Sequence, residues 1–320
     1  MKRTVIHTVV DGMATILSKE QLNLLENILT QALDSYEVIP SISEEEQQAK
    51  ANAELLQAYL SAKKIEGCSE KTIGYYQSTI DTLFVAVCKP VCDVTTNDIR
   101  NYLSGYQEQR KVSRVTIDNM RRIFSSFFAW LEDEDFIVKS PVRRIHRVRT
   151  ESLVKEVLTD ENMEVLRDSC QEIRDIAMID LLASTGMRVG ELVNLNREDI
   201  DFHERQCVVF GKGNKEREVY FNARTKIHLQ NYLSSRTDDN PALFVSLSNP
   251  HSRLSISGVE VRLRTLGRKV NIAKVHPHKF RRTLATMAID KGMPIEQVQR
   301  LLGHVKIDTT LHYAMVNQNN

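Results

Sequence analysis

Eleven residues in the middle of the chain decide how the rest can be arranged. Lys139, Arg143, Arg144, Arg147 and Arg149 stand together between positions 139 and 149, with Pro141 and His146 and without a single acid. A run this basic has no apolar period by which to enter a core. The sequence on either side is patterned for helices, so residues 139–156 read as a linker between two bodies, which a chain of 320 residues is long enough to form. A linker that crosses a polyanion must be basic, so Arg143, Arg144, Arg147 and Arg149 are also candidate phosphate contacts.

Upstream of the linker the signals are helical. Residues 1–46 read as an N-terminal extension built on one amphipathic helix. Ser18-Lys19-Glu20-Gln21 fits a capping box, and Leu22, Leu25, Leu29 and Leu33 follow at helical spacing. So short a helix is marginal alone, and its stripe packs either on its own domain or on a neighbouring subunit. Residues 47–138 read as a bundle of four helices. The first runs from Ala53 to Ala62 and closes at Gly67. The others open at Ser69, Thr95 and Ser113. The fourth carries Arg114, Arg121 and Arg122, which suit either a phosphate backbone or a solvated helix face.

Downstream, residues 157–320 change character. A helix starts at Thr159, and a strongly apolar one runs from Ile173 to Ser184. Thr185-Gly186-Met187-Arg188-Val189-Gly190-Glu191-Leu192 then opens another. Cys207–Phe210 and Arg217–Phe221 alternate as strands around the glycine-rich turn Gly211-Lys212-Gly213-Asn214-Lys215-Glu216. Residues 261–289 hold eight Lys or Arg and no acid, including Lys279, Arg281 and Arg282. A helix from Ile295 to Leu302 leads into Gly303-His304, and Tyr313 lies nine positions beyond that histidine.

Composition excludes several classes. No run of about 18 apolar residues is present, so no spanning helix is expected. The N-terminus lacks the apolar core and cleavage site of a signal peptide. Five scattered cysteines without a Cys-x-x-Cys pattern read as reduced thiols in a cytoplasmic protein. The net charge of +1 conceals a polarity: residues 1–46 carry three basic and eight acidic side chains, so the remainder carries +6.

Taken in order, Arg188, Lys212, His278-x-x-Arg281, His304 and Tyr313 form a pattern that none of them makes alone. The chain closely resembles the tyrosine recombinase (phage integrase) family, near its Xer-type members and the integrases of mobile elements. The resemblance rests on Thr185–Leu192, Gly211–Arg217, His278–Arg281 and Leu301–His304 with Tyr313. It is strongest over residues 155–316 and looser over 47–138; Phe280 stands where leucine is commoner. It implies a mainly α fold with a small antiparallel sheet, arranged as a two-domain DNA clamp. A helical, SAM-like core-binding domain would span 47–138 and a catalytic domain 157–320. Carried over by position, the active-site residues would be Arg188, Lys212, His278, Arg281, His304 and Tyr313. The implied product is a recombinase that cleaves and rejoins duplex DNA through a 3′-phosphotyrosyl link and a Holliday junction.

The chemistry accounts for each residue type. A phenolate attacking phosphorus conserves the bond energy of the phosphodiester and releases a 5′-hydroxyl. Negative charge then spreads over the non-bridging oxygens, which suits the permanently charged forks of Arg188 and Arg281. Lys212 would protonate the leaving oxygen, His278 would act as base or proton shuttle, and His304 would donate to a phosphate oxygen. Glu191 would orient its neighbours. Lys215 is the alternative lysine of the hairpin and otherwise a DNA contact, together with Lys279 and Arg282. No metal or other cofactor is required, and the arginines around the histidines would repel a cation.

The resemblance further implies duplex DNA with inverted-repeat core sites as partner, a homotetramer on paired sites, and an excisionase or DNA-bending protein as accessory. A cytoplasmic, nucleoid-associated location follows. Integration or excision of a mobile element is the expected role. Chromosome dimer resolution, type IB topoisomerase-like relaxation and a DNA-binding protein with a relic site are the other readings. Only seven residues, Ala314 to Asn320, follow Tyr313. Relatives often dock a longer C-terminal helix on the next subunit, so here the helix around Leu22–Leu33 is expected to supply protomer contacts. Residues 1–46 do not resemble a basic arm-binding domain, and arm-site binding is not expected.

Overall fold

The computed structural model describes residues 2–36, 44–149, 156–211, 216–303, 307, 310 and 311. The chain divides into two compact units, Met1–Glu151 and Ser152–Asn320.

The first unit is helical: α1 (Lys2–Met13), α2 (Lys19–Asp34), α3 (Glu44–Ile65), α4 (Glu70–Val87), α5 (Thr96–Arg110) and α6 (Arg114–Asp133). The extension therefore holds two helices rather than the single one expected. The chain turns between Met13 and Ser18, and the Ser18–Gln21 capping box starts α2 with hydrogen bonds of 2.9 and 3.4 Å. The earlier helix packs back on α2, burying Ile6. Lys2 Nζ also donates to Asp34 O at 3.1 Å, at the end of α2 where the helix dipole favours a cation.

Ser69, Thr95 and Ser113 each accept a backbone N–H from three residues on, as N-caps of α4, α5 and α6. Tyr59, Ile80, Leu83, Ile99, Phe124, Phe127, Phe128 and Leu131 form the buried core of this bundle.

The basic segment is tied to that bundle by acids. Val142 is buried in a short 3₁₀ turn, Pro141–Arg144. Ser140 N–H donates to Glu132 Oε2 at 3.0 Å, and Thr96 Oγ1 donates to Pro141 O at 2.7 Å. Asp118, only 4% exposed on α6, accepts from Val148 N–H at 3.1 Å and from Arg121 Nε at 2.9 Å, and pairs with Arg122 Nε at 3.0 Å. Arg143, Arg144, Arg147 and Arg149 remain exposed.

In the second unit come α7 (Asp160–Asp168), α8 (Ile173–Thr185), α9 (Val189–Asn194), β1 (Ile200–Asp201), β2 (Gln206–Phe210), β3 (Glu216–Tyr220), α10 (Ala223–Ser234), α11 (Ile256–Lys269), α12 (Pro277–Asp290) and α13 (Ile295–Leu302). The three strands form one antiparallel sheet in sequence order, with Phe210 opposite Glu216 and Val209 opposite Arg217. Helix α8 is the axis of the unit: Ala177, Met178, Ile179, Leu181 and Leu182 are buried, and α10 and α12 pack against it. Among the described residues, no helix is long and apolar enough to cross a membrane.

Replacing the buried Asp118 leaves the half-buried Arg121 and the half-buried Val148 N–H without their acceptor. Asp118→Ala is expected to destabilise the first unit by about 3 kcal/mol and to abolish hydrogen-exchange protection of the Val148 amide. Arg122→Ala, at the exposed side of the same cluster, should cost under about 1 kcal/mol. Urea unfolding of the two variants checks the difference.

Candidate active site

Two left-handed glycines set the frame. Gly186 ends α8 at φ +59°, so the chain reverses at once and Arg188 becomes the N-cap of α9. A Cβ at Gly186 would stand 2.8 Å from Leu284 Cδ2, so the site is closed to larger residues. Gly303 ends α13 at φ +64°, and a Cβ there would lie 2.9 Å from Arg217 Cδ.

Glu191, at the third position of α9, is the electrostatic centre. It is 5% exposed. Its Oε2 accepts the Arg188 backbone N–H at 2.7 Å and Arg217 Nη2 at 2.7 Å. Its Oε1 accepts Arg188 Nη1 at 2.9 Å and Arg217 Nη1 at 2.7 Å. Burial pushes this carboxyl up, but the hydrogen bonds from Arg217 and Arg188 outweigh it, and the group sits below the usual glutamate value.

Arg188 and Arg281 meet at the C-terminal end of α13. Arg188 Nη2 donates to Gly303 O at 3.2 Å. Arg281, on α12 and 2% exposed, donates through Nη1 to Gly186 O at 2.7 Å and through Nη2 to Leu302 O. The end of a helix presents carbonyl oxygens and the negative pole of the dipole, which orients cations there. Arg188 keeps 34% of its side chain open to solvent. His278 is exposed in the first turn of α12, its ring centroid 6.4 Å from that of His276. Burial, then the neighbouring side chains of Arg282, His278 and Lys279, hold His276 below the usual histidine value.

The structure thus brings together Arg188 and Arg281, with Glu191 between Arg188 and Arg217. Lys212, Lys215, His304 and Tyr313 lie outside the described residues. The candidate DNA contacts separate into groups. Arg114, Arg143, Arg144, Arg147 and Arg149 are exposed. Arg121 and Arg122 pair with Asp118. Arg282 Nη2 donates to Glu156 O at 3.1 Å. Lys279, expected to contact DNA, is buried, its Nζ donates to Ala273 O at 3.0 Å, and desolvation lowers its pKa. Among the described residues, no three His, Cys, Asp or Glu side chains gather as a metal site would. Sequence reasoning gave Arg217 no role, although its place in the Gly211–Arg217 motif was a usable signal. The carbonyl acceptors at Gly186, Leu302 and Gly303 leave no side-chain trace to find.

Comparison with known proteins agrees with this arrangement. Residues 156–320 match the phage integrase family, and residues 55–137 match the N-terminal SAM-like domain of phage integrases. Tyrosine recombinase XerC of Staphylococcus aureus (strain bovine RF122 / ET3-1) is 31% identical over 276 residues, covering 82% of this chain and 91% of that protein. Among solved structures, the Tn1549 transposon integrase in complex with a circular intermediate DNA is similar at a TM-score of 0.68 and 20% identity. That likeness covers 81% of this chain and 94% of the integrase. A lambda integrase dimer bound to a COC' core site has a TM-score of 0.68 and 18% identity over 95% and 89% of the two chains. At such identities the structural likeness speaks for the fold.

The depressed carboxyl of Glu191 gives a pH test. Its stabilisation is complete above the unfolded value of about 4.3 and is lost as pH falls through the lower folded value. Glu191→Gln should therefore lower the melting temperature at neutral pH and flatten its fall below about pH 4.3. Parallel melting curves for wild type and variant would show that Glu191 carries no such linkage.

Proposed function

The chain belongs to the phage integrase family of tyrosine recombinases, enzymes that break and rejoin DNA, and on that premise we propose how its residues divide the work. Tyr313 attacks the scissile phosphorus, its phenol proton passing to His278. A P–O bond to tyrosine forms while the bond to the 5′-oxygen breaks, and Lys212 protonates that oxygen as it leaves. A 5′-hydroxyl from the partner strand then reverses the step, so that no external energy is required. Arg188 and Arg281 hold the two non-bridging oxygens, and His304 donates to one of them. The observation that carries this reading is the convergence of Arg188 and Arg281 on Gly303 O and Leu302 O. Two fixed cations at one helix end suit a doubly charged transition state.

The partner in this reading is duplex DNA bearing inverted core sites, engaged by a homotetramer that passes through a Holliday junction. Exposed Arg114, Arg143, Arg144, Arg147 and Arg149 on the first unit are suited to phosphates. The role we propose is integration and excision of a mobile element, with an excisionase or DNA-bending protein as accessory, in the cytoplasm at the nucleoid. The α1–α2 pair ahead of the SAM-like match supports that choice, and its exposed Leu24 and Ile28 suit contacts between protomers.

The test uses a core site selected by the wild-type protein from a randomised duplex library, then rebuilt with a nick that lets the cleaved end escape. Wild type should accumulate a denaturation-resistant DNA adduct, and Tyr313→Phe should form none. Arg188→Ala and Arg281→Ala should form it about 10²–10³-fold more slowly while still binding the duplex. Adduct formation by Tyr313→Phe at the wild-type rate would overturn the assignment. On two-site substrates a Holliday junction is expected; relaxation without joint molecules would point to a topoisomerase instead.

A further inference from the structure

We infer that Arg217, on strand β3, is a positioning residue that leaves Arg188 free to act on the scissile phosphate by engaging the carboxylate of Glu191. This rests on the reading of Arg188 as part of the phosphate clamp.

The argument begins with charge. Arg188 and Glu191 alone make a pair of opposite charges, with a hydrogen bond of 2.9 Å between the side chains and one of 2.7 Å to the arginine backbone. Such a pair offers a phosphate little net field, because the buried carboxylate offsets the guanidinium at close range. Arg217 changes the balance. Its fork meets both oxygens of Glu191 at 2.7 Å, the bidentate geometry in which a guanidinium binds a carboxylate best. The cluster then carries two cations to one anion, and of the two arginines Arg188 is the more open to solvent, 34% of its side chain against 13% for Arg217.

The second part is geometric. Each oxygen of Glu191 serves both arginines, so the carboxylate cannot rotate toward Arg188 without breaking a bond to Arg217. The Arg217 side chain also lies against Gly303, whose carbonyl receives Arg188 Nη2. A Cβ at that position would push the Arg217 side chain aside, and the φ of +64° is itself one that favours glycine. One side chain of the sheet thus holds the carboxylate that orients Arg188 and stands beside the glycine whose carbonyl Arg188 also reaches. Groups that orient a functional side chain typically change activity about 10–100-fold when removed.

Three scissile linkages in the nicked core-site duplex separate the ways Arg217 could act. A native phosphodiester needs every group. A methylphosphonate is uncharged, so a lost cation matters less. A 5′-bridging phosphorothiolate releases a thiol that needs no proton, so a lost general acid matters less. With the full-length protein, Arg217→Ala should slow adduct formation about 10–100-fold on the native linkage, with duplex binding unchanged. Its deficit relative to wild type should shrink on the methylphosphonate, as that of Arg188→Ala does, and persist on the phosphorothiolate. Arg217→Lys, which keeps the charge and loses the fork, should fall between the two.

A wild-type rate for Arg217→Ala overturns the inference. So does a deficit abolished by the phosphorothiolate, which would place its action on the hairpin lysine. An equal deficit on all three linkages also overturns it, since that is what general loss of structure gives. Wild-type cleavage by Arg188→Ala is a separate failure, of the clamp reading itself.

Discussion

One buried carboxylate organises the catalytic unit. Taking Glu191 out of water costs several kcal/mol, and the structure offsets this with four hydrogen bonds from two arginines. Those bonds join three elements distant in sequence: the start of α9, the strand β3 and, through Arg188 Nη2, the end of α13. Arg281 closes the same ring from α12 by holding Gly186 O and Leu302 O. Loops between elements move easily, whereas helix ends and strands do not. A phosphate clamp built on such ends needs little rearrangement at the moment of reaction, which is where preorganised charge has its largest effect.

The first unit uses the same device for a different end. Asp118 is buried on α6 and satisfied by Arg121, Arg122 and the Val148 amide. Its effect is to hold the backbone of a very basic segment on the bundle while Arg143, Arg144, Arg147 and Arg149 stay exposed. An acid packed against a basic run lowers its self-repulsion and holds its backbone in place. The cationic surface is thereby a built part of the unit.

Much of this was legible from local chemistry. Ser18, Ser69, Thr95, Ser113 and Thr159 read as helix starts because capping is a short-range hydrogen bond, and all five act as N-caps. The alternating strands and the helix Ile295–Leu302 were equally plain, being periodic. Non-local features were not. Helix α1 was missed because Lys2–Met13 carries no acid in its first turn and no base in its last, so nothing local marks its ends. Lys279 read as a DNA contact, and nothing local shows that its ammonium is buried on Ala273 O. Arg217 drew no role from the sequence because only the fold brings its fork to Glu191. Sequence spacing proposes which residues belong to a site; which backbone oxygens hold them depends on the whole packing.

The central claim is that both arginines are already in place before DNA arrives. The direct measurement is a crystal structure of the Tyr313→Phe chain on an uncleaved core-site duplex. The account predicts the scissile phosphate hydrogen-bonded by Arg188 and Arg281 together, with Arg188 still on Glu191 and Gly303 O and Arg281 still on Gly186 O and Leu302 O. A phosphate reached only after either arginine had left those partners, or one bound away from both, would contradict it.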